Sequence, residues 1–160
     1  MSVSAALAES IKSTEGLLVR FLEGFNDGNA AAQSASLPNH AAWSLGHLAL
    51  TMHRAAERIG DRTLPLSWKP EPYAFGSTPT AARGDYPPLE ELVQRYRRSL
   101  SALADAVRGA GDEGLQRTVT WGGTTTTARD LALRMVFHNG LHCGQIVDMR
   151  RALGLPHVIR

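Results

Sequence analysis

Four stretches of the chain place apolar residues at helical spacing, and this periodicity constrains the fold more than any other feature of the sequence. Turn and capping residues bound these stretches. Asn39 is the predicted cap of the second stretch, and Thr127 with Asp130 resembles a capping box before the fourth. We therefore predict an all-α fold whose helices span about residues 3–25, 39–60, 88–109 and 127–153.

The connection between the second and third helices, from Asp61 to Pro88, is long and holds most of the eight prolines. A helix of about 21 residues is about 31 Å long, and an extended chain covers up to about 3.3 Å per residue. The connection can therefore return along the whole bundle and leave its two helices parallel. Trp68, Tyr73 and Phe75 within it indicate that it packs on the helices. The predicted architecture is a four-helix bundle with one long crossover.

The composition predicts a single domain over residues 1–160 and excludes several classes of protein. The 43% of hydrophobic and 20% of charged residues exclude a disordered chain, and no apolar run reaches the about 18 residues of a membrane span. The single cysteine, Cys143, excludes an internal disulfide, and the N-terminus lacks the pattern of a secretory signal. We therefore expect a cytoplasmic protein.

The charge pattern argues against nucleic acid as a partner. The net charge is only +2, and the basic residues are scattered among fifteen acidic ones instead of forming a stripe. A second local feature lies at residues 119–124, where strand-forming residues flank a glycine turn. That segment is too short to change the predicted fold class.

His138 and His142 on the fourth helix are the most informative polar residues. Four residues apart, they lie about 40° apart around the helix, so both imidazoles can reach one metal ion at about 2.0–2.1 Å. Gln145 shares their stripe, and three buried polar side chains need partners. A metal would satisfy both rings, although such pairs also occur as surface histidines or as hydrogen-bonded core histidines.

A third ligand would have to come from the second helix, which offers His40, His47 and His53. His47 lies off the fullest apolar arc, in line with His40 and Arg54, so periodicity slightly favours a partly exposed histidine over a ligand. If His47 is a ligand, the site lies at the edge of the bundle and is open to solvent, as a catalytic metal site requires. His53 lies about 120° away and could not join it.

Two motifs, W-x-x-x-H at Trp43–His47 and H-x-x-x-H-x-G-Q at His138–Gln145, resemble those of the DinB-like superfamily and occur in the same order. The resemblance implies an up-down-down-up bundle with the crossover between helices two and three. It also implies a divalent metal ion, commonly nickel, zinc or iron, on His47, His138 and His142. Members of assigned function include thiol S-transferases and a thiol-dependent isomerase. The resemblance thus implies a low-molecular-weight thiol that the metal binds and presents to an electrophile.

On this interpretation the chain is a metal-dependent thiol S-transferase, or a related hydrolase or isomerase, acting on a small molecule. The alternatives are a metal-binding stress protein without catalysis and an interaction module. Trp43 is predicted beside the metal, and Gln145 is predicted either to hydrogen-bond a ligand ring or a metal-bound water or to be a core polar residue with a backbone partner. His40 and Arg54 are predicted either to receive an anionic substrate or to be plain surface residues. The smooth face of the fourth helix opposite the histidines predicts close helix packing or a homodimer interface.

Overall fold

The computed structural model describes residues 1–34 and 36–158, and over these residues the chain is predominantly helical. This fits the predicted all-α class, and the strand-like segment with the glycine turn forms a small antiparallel hairpin. Within the described residues, no helix is both long and apolar enough to cross a membrane. The elements are α1 (Val3–Phe21), α2 (Ala41–Gly60), α3 (Leu89–Gly114), β1 (Thr118–Trp121), β2 (Thr124–Thr127) and α4 (Ala128–Ala152).

Two helix ends differ from the predicted ones, and glycines explain both. α1 ends at Phe21, four residues early, because the chain turns at Gly24, whose φ of 86° lies in the left-handed region. α3 continues to Gly114, past a break at Gly111, where φ is 64° and ψ is 176°. The sequence periodicity ends near that break, so it predicts too short a third helix.

The N-termini of α2 and α4 are both capped by side chains. Thr127 accepts a hydrogen bond from the Asp130 N–H at 3.0 Å, as the capping pattern predicts. α2 is capped by His40 and not by Asn39: the Nδ1 atom of His40 accepts from the Trp43 N–H at 3.2 Å. The cap at α2 is therefore an imidazole, which also leaves a second ring nitrogen for another contact.

Packing joins each helix to two others. α1 packs against α3 and α4, and α2 packs against the same two helices. Polar contacts tie α1 to α3: the Ser4 N–H donates to Asp112 at 2.8 Å, and the Arg97 side chain donates to Glu15 at 3.0 Å. The largest side chains of the core are almost completely buried, among them Ile11, Leu18, Leu45, Leu48, Met52 and Tyr96.

The crossover, residues 61–88, contains two single turns of 3₁₀ helix, and its aromatic residues behave differently from one another. Tyr73 is buried against α2, where Gly46 leaves room for its ring: a Cβ atom at Gly46 would lie 2.1 Å from two ring carbons. Trp68 is half-buried, with its ring centroid 5.7 Å from that of Tyr73. Phe75, in contrast, is 97% exposed, so the connection packs on the helices as expected through Tyr73 and Trp68 but not through Phe75.

Candidate metal centre

Three imidazole rings converge between α2 and α4. His47 comes from α2, His138 and His142 come from α4, and one ring nitrogen from each lies within 4.8 Å of the other two. The ring centroids are 5.2 Å apart from His47 to either partner and 4.7 Å apart within the α4 pair. Tetrahedral zinc with bonds of about 2.0–2.1 Å needs nitrogens about 3.4 Å apart. A modest inward movement of the rings would therefore complete a three-nitrogen ligand set.

The crossover fixes the orientation of the His47 ring. Its Nδ1 atom lies 2.8 Å from the carbonyl oxygen of Tyr73. Because a carbonyl oxygen only accepts, Nδ1 carries the proton and the lone pair is left on Nε2. A hydrogen bond of this kind typically sets the tautomer of a metal-binding histidine. His47 is only 8% exposed, so its expected partial exposure was wrong: the crossover covers this side of α2.

Trp43 supports His47 from the other face of the ring. The two rings stack with centroids 4.7 Å apart and planes 8° from parallel. The indole N–H donates to the carbonyl oxygen of Pro72 at 2.9 Å and to the Ser77 hydroxyl at 3.0 Å, so Trp43 is itself held by the crossover. The predicted position of Trp43 beside the histidines thus has a physical basis in stacking.

Burial keeps all three histidines neutral near pH 7. Burial, and to a smaller extent the neighbouring rings, lowers the pKa of His142 to about 3 and that of His138 to about 4. The pKa of His47 is also lowered, first by burial and to a smaller extent by the positive charge of Arg54. The neutral imidazole is the form that binds a metal, so no proton has to leave before an ion can bind.

The cluster also contains a buried polar atom without a partner. Nδ1 of His142 makes no hydrogen bond to any described residue, and such an atom costs about 1–3 kcal/mol when it stays unsatisfied. A cation bound among the rings through this nitrogen would offset that cost. Three imidazoles suit zinc, nickel, copper or iron. The residues therefore fit a divalent metal ion, with no thiolate or carboxylate in the set.

The remaining predicted residues lie at different distances from the cluster. Gln145 is half-buried, and its side-chain oxygen accepts from the Asn39 amide at 3.4 Å. Arg54 lines the cavity beside the histidines. His40 is completely buried, and its second ring nitrogen donates to the Thr80 carbonyl oxygen at 2.8 Å. Both of its ring nitrogens are thus engaged, and its position gives no support to a role in binding a substrate anion.

A cavity of about 650 Å³ opens beside the cluster, within the usual size range of small-molecule sites. His47 and His138 form part of its wall, and Trp121 of the β-hairpin borders it as well. Among the cavity residues that the sequence analysis missed are two arginines, Arg58 and Arg134. Their signal is positional, since Arg58 lies one helical turn after Arg54 and Arg134 lies one turn before His138.

Comparison with known proteins shows the family of the chain and supports its fold. A family model described as the DinB superfamily matches residues 10–146, and the chain belongs to the DinB superfamily. Among solved structures, a conserved protein of Enterococcus faecalis is similar with a TM-score of 0.76 and 16% sequence identity, covering 96% of this chain and 99% of that chain. At this identity the likeness shows the fold alone. No curated protein sequence matches.

Proposed function

We propose that His47, His138 and His142 bind one divalent metal ion and that the protein is a metal-dependent thiol S-transferase, or a related hydrolase or isomerase. The observation that carries the proposal is the convergence of three neutral imidazoles, two of which line the wall of a cavity and the third of which has an unpartnered buried nitrogen. Zinc, nickel and iron all suit this ligand set. Membership of the DinB superfamily supports it, because metal binding is common there.

The cavity favours an enzyme over a metal-binding protein without catalysis. A structural metal site is closed by protein ligands, whereas a catalytic site keeps one position open for water or substrate. His47 and His138 both reach the cavity wall, so a small molecule in the cavity would lie next to the ion. The alternative of a non-catalytic stress protein or interaction module would require that position to be closed.

Each part of the site has a distinct role in this proposal. A divalent ion held by three neutral ligands keeps its full charge and would lower the pKa of a thiol that reaches it. Tyr73 holds the His47 ring through its carbonyl oxygen, and Trp43 stacks on that ring. Leu50 and Trp121 add apolar surface to the cavity wall. The chain itself therefore orients the ligands and limits the access of water to the reacting groups.

We further propose that residues 1–160 form one domain and that the helices form an up-down-down-up bundle. The order of contacts along each helix pair supports antiparallel α1–α3 and α2–α4 pairs and a parallel α2–α3 pair. An experimental structure with α2 and α3 antiparallel would contradict this topology. The contacts are Ser4–Asp112 and Glu15–Arg97, then Asn39–Gln145 and His47–His138, and finally His40–Tyr86 and Gly60–Ala106.

The predicted homodimer remains a proposal, supported by an exposed apolar stripe on α4. Leu133, Phe137 and Leu141 lie one turn apart, and each is about half exposed or more. We expect sedimentation equilibrium to give a dimer mass for the wild type and a monomer mass for Leu133→Glu/Phe137→Glu. A wild-type monomer at all concentrations would exclude this interface.

The metal is tested first by elemental analysis of the purified protein. We expect about one divalent ion per chain and nearly complete loss in His142→Ala, because two imidazoles hold an ion far less tightly than three. His53→Ala is the matched control: it removes another α2 histidine, which lies outside the cluster and next to Glu57. Full metal retention in His142→Ala would refute the ligand assignment.

The reaction is tested by incubating the metal-loaded protein with several low-molecular-weight thiols and an activated aryl halide. We expect thiol conjugation above the uncatalysed rate, and we expect His142→Ala to lose it. A fully loaded protein that conjugates none of the thiols would contradict the transferase and favour the non-catalytic alternative.

A further inference from the structure

Three arginines on two helices line the cavity beside the histidines. Arg54 and Arg58 come from successive turns of α2, and Arg134 comes from α4, one turn before His138. Glu57 is the single carboxylate among the described residues of the cavity wall. The wall therefore carries an excess of positive charge.

None of these guanidinium groups has an ion-pair partner within residues 1–34 and 36–158. Most other arginines of the described chain hold a carboxylate or a carbonyl oxygen, as Arg97 holds Glu15. Glu57 offsets one of these charges but forms no ion pair with a cavity arginine: its carboxylate accepts from the Leu64 N–H at 2.9 Å and lies 4.0 Å from His53. The three guanidinium groups are thus available to a ligand, in a wall whose excess is two positive charges.

The arginines lie to one side of the histidine cluster. Arg54 follows His47 by seven residues on α2, and Arg134 precedes His138 by four residues on α4. At 1.5 Å per residue, these offsets place the arginines about 10 Å and about 6 Å along the helices from the histidines. A charged group held there would leave the rest of a small molecule pointing towards the metal ligands.

The rest of the cavity wall suits an apolar body. Leu50, Trp121 and Phe75 border the space, and Phe75 is 97% exposed although it is a large aromatic side chain. A ligand in the cavity would bury part of that surface, which is favourable by about 25 cal/mol per Å². The cavity therefore combines a cationic end with an aromatic rim.

We infer that this cavity binds an organic oxyanion with an apolar body, a carboxylate or a phosphate ester, whose charged group is held by Arg54, Arg58 and Arg134. Guanidinium groups bind both kinds of anion through paired hydrogen bonds. The inference rests on the proposed function for the role of this anion as a reactant, but its binding requires no metal.

The experiment measures binding to metal-free protein by calorimetry, with benzoate, phenyl phosphate and the neutral analogue benzamide as probes. We expect at least one of the anions to bind about tenfold or more tightly than benzamide, with an affinity that falls as salt rises. Tighter binding of benzoate would assign the ligand of the cavity as a carboxylate, and tighter binding of phenyl phosphate would assign it as a phosphate ester. Benzamide that binds as well as both anions would overturn the inference, as would the absence of binding by either anion.

Variants separate the arginines from the metal. Arg54→Gln/Arg134→Gln is expected to weaken anion binding about tenfold or more. Arg98 is an exposed arginine of α3 outside the cavity, so Arg98→Gln is expected to leave the affinity for the anion unchanged. His142→Ala is expected to keep anion binding, so a failure of the metal proposal would be distinguishable from a failure of this one. Unchanged anion affinity in the double arginine variant would overturn the inference.

Discussion

Two polar clusters lie side by side on α4, and they differ in whether their hydrogen bonds are complete. In the first cluster, the Tyr96 O–H of α3 donates to the Asn139 side-chain oxygen at 2.9 Å, and the Asn139 amide lies 3.8 Å from the Cys143 sulfur. In the second, formed by the three histidines, Nδ1 of His142 has no partner among the described residues. The contrast separates a cluster that satisfies itself from one that is arranged for a ligand.

Burial does not explain this difference. Asn139 is 1% exposed and His142 is 5% exposed, so both lie beyond the reach of bulk water. Burial raises the pKa of Tyr96 and raises that of Cys143 to about 11, so both groups stay protonated and neutral at pH 7. The first cluster is therefore hydrogen-bonded within the protein, whereas the second contains a buried nitrogen that no described residue satisfies by the same criterion.

The strongest test of this contrast is the response of stability to metal. At free zinc about 1000-fold above the dissociation constant, the free energy of unfolding should rise by about 4 kcal/mol, because only the folded state holds the three ligands together. Chemical denaturation with and without zinc measures the change. His142→Ala should abolish the response and Tyr96→Phe should retain it. Equal responses in both variants would show that the two clusters do not differ in this way.

Gly46→Ala tests how far the histidine cluster depends on the crossover. The new Cβ atom would lie 2.1 Å from the Tyr73 ring, so the ring has to move and takes along the carbonyl oxygen that holds His47. We expect a loss of up to about 3 kcal/mol in stability and weaker metal binding. Gly16→Ala on α1 is the control, because its Cβ meets nothing within 4 Å, and it should stabilise the helix by about 1 kcal/mol. Unchanged zinc affinity in Gly46→Ala would contradict this link.

Stability of the metal-free protein should fall as the pH drops below 6.5. The folded pKa values of His138 and His142 are about 4 and about 3, so between 6.5 and these values the unfolded chain takes up protons that the folded protein does not. Each histidine then contributes a slope approaching about 1.4 kcal/mol per pH unit, smaller for the half-exposed His138. Urea unfolding at several pH values measures it. His142→Gln should lower the slope by up to about 1.4 kcal/mol per pH unit, the contribution of one proton. An unchanged slope would contradict the assignment of this pH dependence to His142.

The smallest effect is expected in the complete cluster. Tyr96→Phe removes the hydrogen bond to Asn139 and should lower the free energy of unfolding by about 1 kcal/mol, since the amide oxygen of Asn139 loses its donor. Thermal or urea unfolding measures the loss, and elemental analysis should find the metal content unchanged. A variant that loses metal together with stability would show that the two clusters are coupled through α4.

Much of this arrangement is predictable from local sequence patterns. The four helical stretches, the Thr127 cap and the glycine turn of the hairpin each depend on residues close together in the chain. The two histidines of α4 are predictable from their spacing, because four residues make about one turn. The family resemblance, now confirmed, adds His47 as the third ring of the cluster.

Other features depend on contacts between segments that are distant in the chain, and the spacing of apolar residues does not predict such contacts. The crossover buries His47 and accepts its hydrogen bond with the main-chain oxygen of Tyr73. Every residue type has such an oxygen, so the sequence does not reveal this contact. His40, the N-cap of α2, precedes His47 by seven residues, yet its second ring nitrogen is bonded to the Thr80 carbonyl oxygen of the crossover. The one local hint of this packing is Gly46, a glycine in the middle of a helix where a side chain would collide with a neighbour.

The hydrogen bond from His47 to the Tyr73 carbonyl oxygen couples the long connection to the ring nearest to it. Replacing the side chain at position 73 leaves that acceptor in the backbone, whereas shifting the path of the connection removes it. Insertions, deletions or cleavage that shift the path of the chain between α2 and α3 would thus loosen the orientation of the His47 ring, even when they occur far from all three histidines.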